Sequence, residues 1–455
     1  MKNSVITRFA PSPTGLFHAG GIRSALYNYL FARKHGGTFI LRCDDTDSAR
    51  SKKEYEDYFL EVFNWLNLEY DSYFRQSERK PLYRTYLEKM IKDGTAYISK
   101  EIETAEGERE EVIRFKNPNK KISFKDEVLG DITFDTKELG DFVIAREMDD
   151  PLYHFTTVVD DFEMKITHII RGQEHVSNTP RQILIQEAIG APRPIYAHAS
   201  IILDKERKKL SKRDPNVFPV LEYKKLGYLP DALLNFMALI GWNPGTEQEI
   251  FSKKDLINAF SLEKLQKAGA IFDPQKLEWV NREHIKLLTK EQQIDISLGY
   301  FPKEFSEHPL WNNELGKNLA SLALERIHHF GEIEILAGEG EFSYFLDEPK
   351  YDTELLYWKG DKELDESKKK NKTKQILESV NTLVNELEDE AFNSPDAIKA
   401  LIWPLTEDLG RGDVLWPLRV ALSGKERSPD PFTLLFILKK KRSLERIEQA
   451  TKLLT

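Results

Sequence analysis

Two short segments, about two hundred residues apart, carry side chains suited to phosphate chemistry. The first is the loop RFAPSPTGLFHAGG, residues 8–21, which contains two prolines, three glycines and one histidine. The second is KKLSKRD, residues 208–214, in which Lys209 and Lys212 flank Ser211. Backbone N–H groups at a helix start favour a bound phosphate, and paired lysines suit the charge that builds on a leaving pyrophosphate. Alone, either segment fits a plain turn or a solvated surface; together they indicate nucleotide chemistry.

The elements on either side of the first loop predict how it is held. Residues 5–9, VITRF, are short and β-favouring, whereas GIRSALYNYLFARKHG after the loop has apolar residues at helical spacing. A second strand is predicted in TFILRCDD, residues 38–45, and a second helix over residues 52–68. This alternation predicts an α/β fold with a parallel, doubly wound sheet.

Further along the chain the pattern changes twice. A helix is predicted near residues 78–93, and short β-like runs between charged turns then predict an inserted antiparallel module over residues 97–150. The α/β rhythm returns with HFTTVVDD and KITHII, followed by a helix beginning near NTPRQILIQEAIG. Beyond residue 220 the chain is mostly helical, and the lysine-rich segment 364–374 is either a linker or a helix start.

Composition excludes several classes of protein. A length of 455 residues with 40% hydrophobic residues fits about three globular domains. The only cysteine is Cys43, which excludes an intrachain disulfide framework and a thiolate zinc cluster. The longest dense apolar stretch, residues 233–242, is too short to span a bilayer, and the N-terminus lacks a secretion signal, so we expect no membrane partner and a cytoplasmic location.

The net charge of −9 does not argue against a polyanionic partner, because binding depends on local patches. Lysine and arginine cluster in four runs, at residues 116–121, 205–213, 368–374 and 439–442. An acidic body with separate basic runs suits a nucleic acid held at several distant points, although each run alone is typical of a solvated face.

The chain resembles the class I aminoacyl-tRNA synthetases and, within them, the bacterial glutamyl-tRNA synthetases. His18-Ala19-Gly20-Gly21 stands where the class has its HIGH motif, and residues 209–213 stand where it has KMSKS. Further matching segments are RFAPSPTG, GGTFILRCDDTD (36–47), YFRQSERKPLY (73–83), VVDD (158–161), THIIRGQEHVSNTPRQ (167–182), AHASIILD (197–204), GYLPDALLNFMALIGW (227–242), FDPQKLEWVN (272–281) and WPLRVALSG (416–424).

The resemblance implies a Rossmann-like catalytic domain interrupted by an α+β acceptor-binding module and followed by an all-α anticodon-binding region. The implied boundaries are residues 1–96 and 151–200 for the two catalytic halves, 97–150 for the module, 201–290 for a stem-contact region with the KLSKR loop, and 291–365 and 366–455 for two helical anticodon-binding subdomains.

The implied activity is ATP-dependent ligation of L-glutamate to tRNA(Glu) through a glutamyl-adenylate, with release of AMP and pyrophosphate. The resemblance assigns catalysis to His18, Lys209 and Lys212. The implied ATP-binding residues are Ser12, His18, Gly20, Gly21, His175, Lys209, Ser211, Lys212 and Arg213. Mg²⁺ is expected on the ATP phosphates, without a protein metal site. A monomer is implied, and charging of tRNA(Gln) is left open.

Glutamate recognition is expected to depend on a buried arginine, because a guanidinium fork binds a carboxylate far better than the isosteric amide of glutamine. By resemblance this residue is Arg8, with Ser12 and Tyr153 beside it. Arg171 would hold the α-carboxylate and Asp44 would receive the α-ammonium group.

Some positions depart from the family pattern. Asp44 stands where relatives usually have Glu, which leaves its carboxylate one methylene short. RGQEH replaces RGEDH, which puts the roles of Gln173 and Glu174 in doubt, and Asp214-Pro215 replaces His-Gly after KLSKR. The segment 98–112 is shorter than in relatives and has no cysteine, so no zinc is expected there.

The sequence also bears on four other interpretations. A glutaminyl-tRNA synthetase would have a second His at the position of Gly21 and would end in β-barrels. A truncated tRNA-modifying relative would lack the helical C-terminal region, and a nucleotidyltransferase would not explain it. A catalytically dead tRNA-binding paralogue is disfavoured by His18, Lys209 and Lys212, although Asp44 keeps it open.

Overall fold

The computed structural model describes residues 4–47, 49–100, 111–210 and 218–455. The chain forms two compact units, Met1–Leu287 and Leu288–Thr455. The strands of the first unit are β1 (Ile6–Phe9), β2 (Thr38–Cys43), β3 (Ser72–Arg75), β4 (Ala96–Lys100), β5 (Glu111–Phe115), β6 (Lys121–Asp126), β7 (Gly130–Asp135), β8 (Phe142–Glu147), β9 (Asp150–Pro151), β10 (His168–Gly172), β11 (Ile195–Ala199), β12 (Ile202–Leu203) and β13 (Ala270–Ile271).

The helices of the first unit are α1 (Ala19–Lys34), α2 (Lys53–Trp65), α3 (Lys80–Lys92), α4 (Tyr153–Glu163), α5 (Thr179–Ile189), α6 (Val220–Lys225), α7 (Pro230–Leu239), α8 (Lys253–Ala259) and α9 (Pro274–Leu287). The helices of the second unit are α10 (Lys290–Leu298), α11 (Lys303–Ser306), α12 (Asn313–Leu324), α13 (Glu332–Gly338), α14 (Glu366–Glu386), α15 (Pro395–Leu409), α16 (Arg411–Ser423) and α17 (Pro431–Leu453). No helix among the described residues is long and apolar enough to cross a membrane.

Parallel strands form the centre of the first unit, as the alternating pattern predicted. Strand β2 lies between β1 and β3, and both pairings are parallel. Strands β10 and β11 are also parallel, with Arg171 opposite His198 in the register. The backbone N–H of Thr167 donates to the carbonyl of Ile6 at 3.0 Å, so β10 begins beside β1. The carboxyl ends of these strands therefore share one edge, where ligands bind in sheets of this kind.

Helix α1 packs in the middle of this unit because it is apolar on most of its circumference. Ile22, Ala25, Leu26 and Leu30 are fully buried in a core that also includes Phe39 and Leu41 of β2 and apolar residues of α7. A helix that is apolar all round is stable only when other elements cover it. Its N-terminus, which follows the Pro- and Gly-containing loop, is thereby fixed at the end of β1.

The region predicted as an inserted module is built from antiparallel strands. Strands β4, β5, β8 and β9 form one antiparallel sheet. Strands β6 and β7 form an antiparallel pair whose first strand also meets β11, at the pair Tyr196 and Asp126. Where the structure describes residues 97–150, it contains strands and one 3₁₀ turn, so the α-helical part of the expected α+β module is not found there. The alternating burial of β6, in which Ile122 and Phe124 face inward, explains this preference for strand.

The second unit is helical throughout its described elements. The lysine-rich segment predicted as a linker or a helix start is a helix start, because Asp365 caps α14 by accepting from the backbone N–H of Lys368 at 2.9 Å. Apolar residues on one face of α14 meet α16 and α17, and Leu377, Val380 and Leu435 are fully buried.

Candidate active site

A cleft of about 520 Å³ opens at the carboxyl ends of β1, β2 and β10. All the site residues proposed from the sequence that the structure describes line this cleft: Arg8, Ser12, His18, Gly20, Gly21, Asp44, Tyr153, Arg171, His175 and Lys209. Ser211, Lys212 and Arg213 lie outside the described residues. The structure therefore brings together two segments that are about two hundred positions apart in the chain.

The loop before α1 presents the start of that helix to the cleft. His18 is the N-cap residue, and its carbonyl accepts from the backbone N–H of Gly21 at 2.9 Å and of Ile22 at 3.2 Å. The first turn of α1 contains no acidic side chain, so the positive end of the helix dipole is not offset there. An anion in this part of the cleft would face helix N–H groups and the His18 side chain.

Gly20 and Gly21 have different reasons to be glycine. A Cβ at Gly20 would meet no atom within 4 Å, so this position faces open space in the cleft. A Cβ at Gly21 would overlap the ring of Phe17. The resemblance implies that both residues bind ATP, whereas the structure gives Gly21 a packing requirement of its own.

Arg8 is held by a carboxylate that the sequence reasoning did not assign. Its Nε and Nη2 donate to the two carboxylate oxygens of Asp161 at 3.1 and 3.3 Å. Asp161 also accepts from Arg42 Nη1 at 2.8 Å, and Arg42 Nε donates to Asp44 Oδ1 at 2.7 Å. Arg8, Arg42, Asp44 and Asp161 thus form a continuous buried network, in which the Arg42 side chain is 0% exposed.

Asp160, the neighbour of Asp161 on α4, anchors the same network to α3. It accepts from Arg79 Nε at 2.7 Å, from the Tyr83 hydroxyl at 2.7 Å and from Gln76 Nε2 at 2.9 Å. The VVDD segment was noticed in the sequence only as a family match. Asp161 pairs with Arg8 and Arg42, whereas Asp160 binds Gln76, Arg79 and Tyr83 and its Oδ2 also lies 3.7 Å from Arg42 Nε.

Burial and ion pairing shift the acidity of these groups. Burial raises the pKa of Asp44 to about 6, against the opposing effect of Arg42. Burial acts in the same direction on Asp161, but Arg8 and Arg42 outweigh it and hold the pKa of that carboxyl below its usual value. Burial and the nearby charge of Arg171 lower the pKa of His175 to about 4, so His175 is neutral at pH 7.

The hydrogen-bond partners of Arg171 in residues 4–47, 49–100, 111–210 and 218–455 are neutral groups. Its Nη2 donates to Thr179 Oγ1 at 2.9 Å and to the His175 carbonyl at 3.4 Å, and its Nε donates to His198 Nε2 at 3.1 Å. Arg171 Nη1 is buried and has no hydrogen-bond partner among the residues that the structure describes. A buried guanidinium N–H without an acceptor is costly, so a ligand oxygen at this position would be stabilising.

Lys209 directly follows a tight turn and lines the cleft. The backbone N–H of Asp204 donates to the Lys208 carbonyl at 2.8 Å, and Leu210 N–H donates to the Ile202 carbonyl at 2.9 Å. Arg207 in the turn has a φ of 61°. The sequence predicted a loop around KLSKR. Its first two residues, Lys209 and Leu210, directly follow this turn and run back beside Ile202.

Comparisons with known proteins identify the family of the chain. A family model described as tRNA synthetases class I (E and Q), catalytic domain, matches residues 4–111 and 98–279. A glutamate--tRNA ligase of Bacillus subtilis is 35% identical to the chain, over 98% of this chain and 100% of the relative. The chain belongs to the glutamate--tRNA ligase family of class I synthetases. A second model, described as an anticodon binding domain, matches residues 298–451 of this synthetase.

Other relatives support the same family over the full length. A glutamate--tRNA ligase of Carboxydothermus hydrogenoformans is 37% identical to this synthetase, over 95% of this chain and 97% of the relative. A crystal structure of a glutamate tRNA ligase from Elizabethkingia meningosepticum in complex with its amino acid has a TM-score of 0.86 and 32% identity, and all of each chain is covered. Class I synthetases use ATP, and this enzyme shares their catalytic-domain family.

Gln173 and Glu174, which depart from the family pattern, lie in different positions relative to the cleft. Glu174 lines the cleft, and its carboxylate lies so close to Gly172 that a Cβ there would overlap it. Gln173 begins the 3₁₀ turn Gln173–Asn178 and does not line the cleft. No group of three His, Cys, Asp or Glu side chains in the described part of the chain could hold a metal ion.

Proposed function

We propose that this synthetase joins L-glutamate to tRNA(Glu) in two steps, through a glutamyl-adenylate. The observation that supports the proposal most directly is the convergence of the phosphate-binding segments and of two arginines on one cleft. In the first step an oxygen of the glutamate α-carboxylate attacks the α-phosphate of ATP, a new O–P bond forms, and pyrophosphate leaves. This step needs charge neutralisation and in-line positioning, not a protein nucleophile.

The two cationic segments act on the triphosphate. His18 and the N–H groups at the start of α1 hydrogen-bond the phosphates, and Gly20 leaves room for the nucleotide. Lys209 and Lys212 neutralise the charge that develops on the pyrophosphate, with Ser211 and Arg213 supporting them. Mg²⁺ enters as the MgATP substrate and neutralises phosphate charge when it is bound. Gly21, Ser12 and His175 complete the ATP site by resemblance.

Glutamate lies between the arginines of the cleft. Arg171 binds the α-carboxylate through Nη1, for which the described part of the chain provides no hydrogen-bond partner. Asp44 receives the α-ammonium group, and Arg8 with Ser12 and Tyr153 receives the side-chain carboxylate. Asp161 holds Nε and Nη2 of Arg8, which fixes the plane of the guanidinium.

In the second step the 2′-hydroxyl of the terminal adenosine attacks the carbonyl carbon of the adenylate, and AMP leaves. The strands of the module at residues 97–150 grip the acceptor end, and the helical region from residue 291 reads the anticodon, where unstacked bases can be stacked and hydrogen-bonded. Binding of tRNA is required before glutamate is activated. The enzyme acts as a monomer, which light scattering would test.

The direct test is aminoacylation of purified tRNA(Glu) and tRNA(Gln), with glutamate and glutamine compared as substrates. Glutamate transfer to tRNA(Glu) is expected, and transfer to tRNA(Gln) would mark a non-discriminating enzyme. Faster charging of glutamine than of glutamate would contradict the role given to Arg8. The adenylate is tested separately by glutamate-dependent ATP–pyrophosphate exchange with tRNA(Glu) present.

Adjacent lysines provide a matched pair for the clamp. Lys209 lines the cleft, whereas Lys208 does not. Lys209→Ala and Lys212→Ala should lose ATP–pyrophosphate exchange by about 100-fold or more while keeping affinity for tRNA, because the charge on the leaving pyrophosphate is no longer neutralised. Lys208→Ala should retain exchange. Equal losses in Lys208→Ala and Lys209→Ala would remove the clamp from the mechanism.

A further inference from the structure

A buried chain of three side chains connects the β6–β7 pair to the cleft. His198 Nδ1 lies 2.6 Å from Asp126 Oδ2, and His198 Nε2 lies 3.1 Å from Arg171 Nε. Both His198 and Asp126 side chains are 0% exposed. Asp126 ends strand β6, while His198 and Arg171 are opposite each other on β11 and β10. Three segments of the chain thus contribute one residue each to a continuous hydrogen-bonded line.

The direction of each hydrogen bond in this line is determined by its two ends. Arg171 can only donate, so His198 Nε2 must accept from it. Because a neutral imidazole has one donor and one acceptor nitrogen, His198 Nδ1 carries the proton and donates to Asp126. Burial lowers the pKa of His198, which keeps this neutral form at pH 7. A carboxylate that selects the tautomer of a histidine in this way also fixes the ring orientation.

We propose that Asp126 and His198 are positioning residues that orient Arg171 for glutamate, an inference that depends on the proposed function. Asp126 sets the tautomer of His198, and His198 then accepts from Arg171 Nε. Because Nε donates to His198 and Nη2 donates to Thr179, the guanidinium plane is fixed. Nη1, which has no hydrogen-bond partner within the described ranges, is thereby held at the cleft. The glutamate site therefore includes a residue from the β6–β7 pair, within the region predicted as the acceptor-binding module.

The hydrogen bonds at Asp126 make Asp126→Asn a sharp test. Asp126 Oδ1 accepts from three backbone N–H groups, those of Val128 at 3.0 Å, Leu129 at 2.9 Å and His198 at 3.3 Å. In the asparagine variant the carbonyl oxygen must take this position, so the amide NH₂ faces His198 Nδ1. The imidazole of His198 then accepts at Nδ1 and carries its proton on Nε2. Because this N–H group now faces the N–H group of Arg171, it turns toward Thr179 Oγ1, which lies 3.4 Å from Nε2.

The expected result is a rise of about 10- to 100-fold in the KM for glutamate in ATP–pyrophosphate exchange, the usual range for losing a hydrogen bond to a charged group. The KM for ATP should stay within about twofold, since the triphosphate side of the cleft is unchanged. A change in glutamate KM below about twofold, or a parallel rise in both KM values, would overturn the proposal.

Two substitutions of His198 separate positioning from stability. Gln places an acceptor near the position of Nε2 and keeps the bond to Arg171, whereas Asn keeps a donor near Nδ1 and loses that bond. His198→Asn should therefore raise the glutamate KM well above that of His198→Gln, even where both lower the melting temperature equally. Equal KM values in the two variants would contradict the proposal.

His168→Gln is the matched control, because His168 lies at the other end of β10 and hydrogen-bonds Thr167 Oγ1 at 2.8 Å, away from Arg171. It should leave the glutamate KM unchanged. Failure of the proposed function and failure of this inference give different results. A wild-type enzyme without glutamate-dependent exchange would end the proposed function, whereas an active wild-type enzyme with insensitive Asp126 and His198 variants would end only this inference.

Discussion

Loss of the Asp161 negative charge should lower the free energy of unfolding of the first unit. It accepts three hydrogen bonds from two arginines, Arg8 and Arg42, at 2.8 to 3.3 Å, and its side chain is 5% exposed. Asp161→Asn keeps the volume but removes the negative charge and turns an amide NH₂ toward guanidinium donors. Both arginines then remain buried with less compensation.

Removing one partner of a buried ion pair costs about 3–5 kcal/mol, because the remaining charge stays out of water. With an m-value of about 3 kcal/mol/M, the urea midpoint of the first unit should fall by about 1–1.7 M. Urea titration followed by hydrogen-exchange mass spectrometry reports each unit separately, so the transition of Leu288–Thr455 serves as an internal reference. The pKa of Asp161 is lowered in the folded protein, so its stabilising contribution is present above its unfolded pKa and is lost as the pH falls through the folded value.

Asp149→Asn is the matched control on the surface. Asp149 pairs with Arg84 at 2.9 Å, but the two side chains are 60% and 48% exposed. An exposed pair contributes about 0–1 kcal/mol, so this variant should unfold close to the wild type. A loss below about 1 kcal/mol for Asp161→Asn, or equal losses in the two variants, would refute the assignment of the buried network as the stabilising element.

Two further predictions concern the loop and Asp44. Gly21→Ala should destabilise the first unit by about 1–3 kcal/mol through overlap with Phe17, whereas Gly20→Ala should unfold like the wild type and raise only the KM for ATP. Thermal melts and exchange kinetics check both, and a reversed order would contradict the geometry. Because burial raises the pKa of Asp44 to about 6 and the ammonium needs the carboxylate, the glutamate KM should rise about tenfold from pH 7 to 5. A flat profile in the wild type would contradict this, and Asp44→Asn should have a high, pH-independent KM.

Local patterns predicted the elements that carry the cleft. The strand over residues 5–9, the helix after the loop, the strand over 38–45 and the helix over 52–68 are confirmed as β1, α1, β2 and α2. Each of these elements is determined by a short stretch of sequence, either a β-favouring run or apolar residues at helical spacing. Their common edge follows from parallel pairing alone, so the side chains that follow β1, β2 and β10 could be grouped before any coordinates were known.

The partners of those side chains could not be predicted in the same way. Arg42 and Asp161 are 119 positions apart, and nothing near either residue indicates that they meet. The buried role of Asp126 could not be predicted from its immediate neighbours either, because an acidic residue at a strand end is usually solvated. A signal was nevertheless present in β6, where strict alternation puts Asp126 on the same inward face as Ile122 and Phe124. A charged residue on an apolar face requires a buried partner, and here that partner is His198.

The distribution of charge in the cleft indicates where a substrate carboxylate is needed most. Arg8 and Arg42 face Asp161 and Asp44, so their charges are compensated in the free protein. Where the structure describes the chain, the acceptors of Arg171 are an imidazole, a hydroxyl and a carbonyl, and no carboxylate hydrogen-bonds its buried charge. A substrate carboxylate on Arg171 therefore gains a full ion pair, whereas one on Arg8 shares a guanidinium with Asp161. Binding strength should accordingly depend chiefly on Arg171, and the choice of glutamate over glutamine on how firmly Asp161 holds Arg8.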